Sequence, residues 1–300
     1  MIYKEYLEHK IFDNLKNETL NRTLIFVAII WALLAGYFAF SDLQISILIA
    51  NQNSVWAKFI QNFGEVPGLV VLLFGTHIYM SSLQFNSILK KFAALPFLFL
   101  ASVYLLRHLT IVISHGLTGD YQFATQYKIY IIIASFILNA LVFYLLNRGE
   151  NKLPDNINLF GKVTVFLGIF GYLLYVQPLK LIWGRVRFRD LDPSYFSFTP
   201  WYIPNGPNGS ESFPSGHAAM AWIILPLLLL AINKNRRVKS FLLTLIIFWG
   251  LAVSTGRVVI GAHYASDVLF SGMWIIVCFM ILLKKFIVKQ PVLQGQDNPL

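Results

Sequence analysis

Eight apolar runs limit what this chain can fold into. They lie near residues 23–40, 66–82, 91–107, 129–147, 161–182, 217–232, 240–257 and 264–283. A helix needs about 20 apolar residues to cross the hydrocarbon core of a bilayer, and several of the runs approach that length. The second and sixth are short for a crossing. In lipid the backbone must satisfy its own N–H and C=O groups, so continuous apolar runs are read as helices. The expectation is an all-α, polytopic membrane bundle of about eight transmembrane helices. Composition agrees, with 57% hydrophobic and 13% charged residues, against about 25% charged in a soluble domain.

The first run follows four basic residues, as a signal peptide would. It is long for such a segment and seven more runs follow, so it reads as an uncleaved first crossing. Residues 1–22 are polar and are expected to form a short helix at the membrane surface. The single cysteine, Cys278, allows no disulfide within the chain.

The net charge of +10 is not gathered on one soluble face, which argues against nucleic acid as a partner. Threading eight crossings with the N-terminus in the cytoplasm puts sixteen of the 24 lysines and arginines in cytoplasmic segments. By the positive-inside rule both termini are then cytoplasmic. The outer segments keep Lys58, Arg107, Lys128, Lys180, Arg185, Arg187, Arg189 and Arg257. Two long connectors fall on that side. Residues 41–65 carry Trp56 and Phe59. Residues 184–213 carry four prolines and the aromatics Tyr195, Phe196, Phe198, Trp201 and Tyr202. Such aromatics favour the headgroup level; the second connector reads as an interfacial loop or as a lid guiding a lipid headgroup.

Three polar islands abut the last four runs, and ionisable groups beside a membrane are costly and usually functional. The first is Lys180 to Arg187, with Arg185 between them. Arginine grips phosphate oxygens in pairs and lysine adds a point charge, although long cations also snorkel to headgroups. The second is Pro214-Ser215-Gly216-His217 at the start of the sixth helix, where backbone N–H groups attract anions. Ser215 can cap, Gly216 leaves room, and His217 stands at the rim; an ordinary cap with an interfacial histidine is the plainer reading. The third is Arg257, His263 and Asp267. His263 and Asp267 are four apart and share a face if helical. A carboxylate beside an imidazole fixes its tautomer and frees the other nitrogen for attack, though a structural ion pair has the same spacing. His263 is thus the nucleophile candidate. His217, with no carboxylate at such spacing, suits general acid and base catalysis. Two histidines and an aspartate can bind a metal, but Lys180, Arg185, Arg187 and Arg257 crowd the spot with positive charge. The set reads as a phosphate site without metal or other cofactor.

These residues, in this order and spacing, resemble the type 2 phosphatidic acid phosphatase family, related to the vanadium haloperoxidases. That family shows a lysine, six residues and Arg-Pro; then Pro-Ser-Gly-His; then Ser-Arg, five residues, a histidine, three residues and an aspartate. This chain has Phe188 in place of the proline and Gly256 in place of the serine. The resemblance covers 88 residues, Lys180 to Asp267. It implies that His263 attacks phosphorus to form a phosphohistidine, with Asp267 supporting it. His217 protonates the leaving oxygen and then activates water. Lys180, Arg187, Ser215, Gly216 and Arg257 hold the phosphoryl oxygens, with Arg185 a weaker addition. The implied substrates are lipid phosphates or diphosphates: polyprenyl diphosphate, phosphatidylglycerophosphate, phosphatidate or lipid A phosphate. Family members commonly cross six times; this chain has two more runs ahead of the first motif.

The expected division is a cytoplasmic segment 1–22, N-terminal transmembrane helices 23–160, a catalytic phosphatase core 161–285 and a cytoplasmic tail 286–300. The expected setting is a bacterial cytoplasmic membrane, with the active site on the outer face. A lipid phosphotransferase using the same site is a close variant. A transporter or non-catalytic lipid-binding protein fits eight crossings and a cationic pocket, but does not need both histidines and the aspartate. Of the other histidines, His77 is read as packed, whereas His108 and His115, with Arg107, can reach a distal part of a substrate.

Overall fold

All eight apolar runs are helical. A computed structural model describes residues 2–83, 88–119, 126–147 and 153–288, and among them every regular element is a helix. The elements are α1 (Ile2–Ile49), α2 (Val55–Phe63), α3 (Val66–Ser82), α4 (Ile88–Thr118) and α5 (Lys128–Asn147). They continue with α6 (Asp155–Leu167), α7 (Val176–Trp183), α8 (Gly216–Trp222), α9 (Leu227–Leu230), α10 (Arg236–Val259) and α11 (Ala265–Leu283). Among the described residues, six helical stretches are long and apolar enough to cross a membrane: Glu18–Ile49, Val55–Ser82, Ala94–Thr118, Asp155–Asp190, Arg236–Val259 and Ala265–Ile287. Lys128–Val142 and Gly216–Leu230 are apolar but shorter, so the count of eight is approximate.

Several boundaries differ from expectation. The polar first 22 residues do not form a separate surface helix; α1 runs unbroken for 48 residues. Nor are residues 41–65 a connector, since 41–49 lengthen α1 and 55–63 form α2. Both differences have the same cause: neither stretch contains Gly or Pro inside its helical part, so nothing stops propagation. The sixth run is two short pieces, because Pro226 cannot donate a helical N–H. The Trp222 carbonyl instead accepts from Leu225 N at 3.1 Å. Beyond residue 288 the expected tail lies outside the described residues.

The short helix α8 is the centre of the bundle. Ala218, Ala219, Met220, Ala221 and Trp222 are all buried. Lipid tails supply no hydrophobic drive between helices, so close packing through small residues holds them together. Trp222 shows how. A Cβ at Gly250 of α10 would stand 2.5 Å from its ring, and one at Gly272 of α11 would stand 2.8 Å from its Nε1. Leu69 and Leu72 of α3, Val163 and Leu167 of α6, and Ile275 and Phe279 of α11 complete this core.

The connections gather at two poles. One pole brings together Tyr79 and Ser82 of α3, Asp155 and Lys162 of α6, Asn233 before α10, and Phe286 after α11. There Lys284 donates to Asn21 of α1 at 2.8 Å. The opposite pole holds the ends that carry the three polar islands.

Candidate active site

At this second pole a polar cavity of about 430 Å³ opens among α2, α3, α4, α7, α8 and α10. Its lining includes Lys180, Arg187, Gly216, His217, Arg257 and His263. Six of the nine residues singled out from the sequence therefore meet in one place. Arg189, Glu65, Glu211, His108 and His115 also line it. Among the described residues four fixed cations face two carboxylates, so the cavity favours an anion over a cation. A second cavity, about 330 Å³, lies between α1, α10 and α11 and is lined by apolar side chains with only Ser254 and Thr255 polar. It offers no charge for such chemistry.

The first island reaches the cavity through a sharp turn. Gly184 ends α7 with φ +58°, a left-handed conformation that favours glycine. A Cβ there would collide with the Gly206 carbonyl and stand 2.8 Å from Asn208 Oδ1. Lys180, in the last turn of α7, donates Nζ to the Glu211 carbonyl at 2.9 Å. Arg187 lies beyond the turn and lines the cavity, as does Arg189, which donates to Gln61 Oε1 at 3.0 Å. Gly261 receives the Arg189 backbone N–H at 2.9 Å, which ties the first island to the third.

Arg185 does not join them. It is fully buried and lines no part of the cavity. Its Nη1 donates to Asp267 Oδ1 at 2.6 Å and to Ser266 Oγ at 2.8 Å. Its Nη2 donates to Asp42 Oδ2 at 2.9 Å and its Nε to the Thr199 carbonyl at 2.9 Å. The guanidinium also lies 4.0 Å over the Tyr264 ring. The expectation of a phosphate contact is corrected: two carboxylates hold this cation inside the protein.

Ser215 caps α8, accepting from Ala218 N at 3.3 Å, and is fully buried behind the cavity wall. Gly216 faces the cavity. A Cβ on it would lie 3.6 Å from Lys180 Cε and 3.5 Å from Tyr172 Oη, in ordinary contact. His217, one residue on, has both ring nitrogens engaged. Its Nδ1 is 2.9 Å from Glu65 Oε1, and its Nε2 is 3.0 Å from the Gln61 carbonyl. The sequence offered His217 no nearby carboxylate; Glu65, just ahead of α3, supplies one from far away in the chain.

His263 is 2% exposed and its Nδ1 is 2.6 Å from the Ser212 carbonyl. A carbonyl only accepts, so Nδ1 carries the proton and Nε2 keeps its lone pair. Asp267 Oδ2 is 3.7 Å from Nδ1, beyond hydrogen-bond range. The tautomer is therefore fixed by Ser212 and not directly by Asp267. Ser212 Oγ donates to Asp267 Oδ2 at 2.6 Å, and Tyr264 N donates to the same oxygen at 2.9 Å. Asp267 thus anchors the start of α11 and the Ser212 backbone, and through them the ring. Burial pushes the His263 pKa down to about 3; the Asp267 carboxylate opposes this, and Arg257 and Lys180 reinforce it. A ring in this state is neutral at pH 7.

Sequence reasoning missed Glu65, Ser212, Asp42 and Arg189. Glu65 carried a usable signal, a carboxylate at the mouth of an apolar run. Asp42 was passed over because residues 41–65 read as a connector. The connector 184–213 is irregular as expected, but its aromatics do not close over the cavity. Trp201 packs on Phe270 with centroids 4.5 Å apart and donates to the Ala35 carbonyl at 3.0 Å. Phe198 packs on Tyr264, while Phe196 is 92% exposed.

No curated protein and no solved structure matches the chain. Residues 161–290 match the family model described as the PAP2 superfamily. That stretch contains all three polar islands, so the PAP2-superfamily match falls on the part of the chain that builds the cavity, within a protein whose described regular elements are all helices, with six stretches long and apolar enough to cross a membrane.

Proposed function

We propose that the protein is an integral membrane lipid phosphatase that works without a metal and through a phosphohistidine on His263. The observation that carries this reading is the buried His263 ring, held at Nδ1 by the Ser212 carbonyl, beside Lys180, Arg187 and Arg257 in one cavity. Such a nitrogen is a nucleophile that needs no prior deprotonation. The cations stand where charge builds on the phosphoryl oxygens.

In the proposed reaction Nε2 of His263 forms a bond to phosphorus as the bond from phosphorus to the lipid oxygen breaks. His217 gives its proton to that oxygen. It then takes a proton from water, whose oxygen displaces Nε2 and releases phosphate. Lys180, Arg187 and Arg257 hold the phosphoryl oxygens, with Gly216 at the start of α8 as a further donor, while the buried Ser215 caps that helix. Asp267 supports His263 through Ser212. The membrane body and the exposed Val55, Trp56 and Phe59 on α2 support a lipid as the carrier of the phosphate. Gln61 and Asn62 of the same short helix line the cavity, which would set the apolar face in the headgroup region.

The test is phosphate release by purified protein from a panel of lipid phosphates and diphosphates. Turnover should persist with a chelator, be inhibited by vanadate, and vanish in His263→Ala. A strict metal requirement, or full activity in that variant, contradicts the reading. Phosphate recovered on a lipid acceptor, not in water, would identify the transferase variant.

A further inference from the structure

Glu65 and His108 lie on α3's threshold and on α4, outside the stretch matched by the family model. Glu65 is 8% exposed. One of its oxygens is 2.9 Å from His217 Nδ1 and the other is 3.3 Å from His108 Nε2. His108 lines the same cavity and lies parallel to the Tyr104 ring, with centroids 6.2 Å apart. A carboxylate this buried needs partners on both oxygens, and here both partners are imidazoles of one cavity.

We infer that Glu65 is a positioning residue for His217, with His108 as the anchor that holds the carboxylate in place. The inference rests on the phosphatase reading. A carboxylate on Nδ1 makes that nitrogen the donor, so Nε2 is left to exchange protons with the leaving group and with water. Nε2 now rests on the Gln61 carbonyl, a contact that a substrate can replace. The N-terminal helices then supply what the family-matched stretch lacks: the group that orients its acid and base. General acid–base catalysis is lost if the imidazole turns, even where the phosphate still binds.

The experiment compares wild type, Glu65→Gln, His217→Gln and the double variant. With an alkyl phosphate lipid, Glu65→Gln should lower kcat about 100-fold, the lower end of what acid–base catalysis contributes. KM and vanadate inhibition should stay within about twofold, and in the His217→Gln background the substitution should add less than about twofold, because the two act as one unit. With an aryl phosphate, whose leaving group needs no proton, phosphohistidine should form normally and then accumulate. Equal losses in both backgrounds, a loss confined to KM, lost vanadate inhibition or unchanged kcat would each overturn the inference. If Glu65→Gln yields no folded protein, His108→Gln carries the test. It should lower kcat about 10-fold with the same dependence on His217, and unchanged kcat would overturn the inference. A wild-type protein that releases no phosphate from any substrate sinks the phosphatase reading and this inference together. An active wild type with an unimpaired Glu65→Gln sinks the inference alone.

Discussion

Two atoms decide what His263 can do: the Ser212 carbonyl that holds Nδ1, and the open Nε2. Because burial lowers the ring's pKa to about 3, the ring should stay neutral as pH falls from about 8 to 5, where an ordinary histidine protonates near 6.5. Ring nitrogen NMR of selectively labelled protein reads this directly, and a titration of His263 near pH 6.5 would contradict it. Gly216 permits a second test at this scale. The space for a Cβ exists, so Gly216→Ala should fold with unchanged thermal stability. The methyl would stand between Lys180 and the start of α8, where a phosphoryl oxygen is proposed to sit. Phosphate release should fall at least about 10-fold, a cost of roughly 1.4 kcal/mol in transition-state binding; wild-type turnover would remove Gly216 from the site. The two histidines and their flanking cations were legible because their spacing along the chain carries the chemistry. Ser212 was not, because it acts through its carbonyl, which every residue has. Glu65 was not paired with His217 because nothing in sequence places α3 against α8.

At the scale of elements, α1 is joined to the site by a buried network. Asp42 accepts from Arg185 at 2.9 Å and from Ser266 N at 2.9 Å, and the Ser266 hydroxyl bonds to it as well. Arg185 in turn holds Asp267. One helix outside the matched stretch thereby fixes the start of α11, where His263 and Asp267 stand. Removing one partner of a buried ion pair costs about 3–5 kcal/mol. Asp42→Asn should lie at or below the low end, about 3 kcal/mol, because Asp267 still balances Arg185. The expected result is a clear drop in thermal stability in detergent, with vanadate affinity reduced less than about tenfold. Unchanged stability would mean that the network is not what joins α1 to the core. Legibility at this scale was uneven. The helices themselves were legible from apolar length. The Asp42 contact was hidden because a lone carboxylate near the end of an apolar run reads as the start of a loop. The break at Pro226 was legible in principle, since a proline inside a run interrupts the helix.

Across the whole molecule, alternation of the helix ends between two poles links the chemistry to a side of the membrane. The pole opposite the cavity gathers Lys162 and the neighbourhood of Lys234, Arg236, Arg237 and Lys284. Among the described residues gathered at this pole, Asp155 is the only carboxylate facing these cations. The positive-inside rule accounts for them if this pole faces the cytoplasm. At the other pole Lys180, Arg187, Arg189 and Arg257 line the cavity and Arg185 is held by Asp42 and Asp267, so the rule does not govern these five. We therefore propose that the active site opens on the outer face, where a lipid phosphate in the outer leaflet can enter. Cys278 is buried, which leaves a quiet background for labelling. In intact cells a membrane-impermeant maleimide should label Phe196→Cys, because Phe196 is 92% exposed beside the cavity pole. Asn233→Cys, at the opposite pole, should react only after the membrane is opened. The reverse pattern would put the cavity in the cytoplasm and require a substrate in the inner leaflet. Labelling of both in intact cells would mean that the two poles do not lie on opposite sides, and the threading of eight crossings would fall with it.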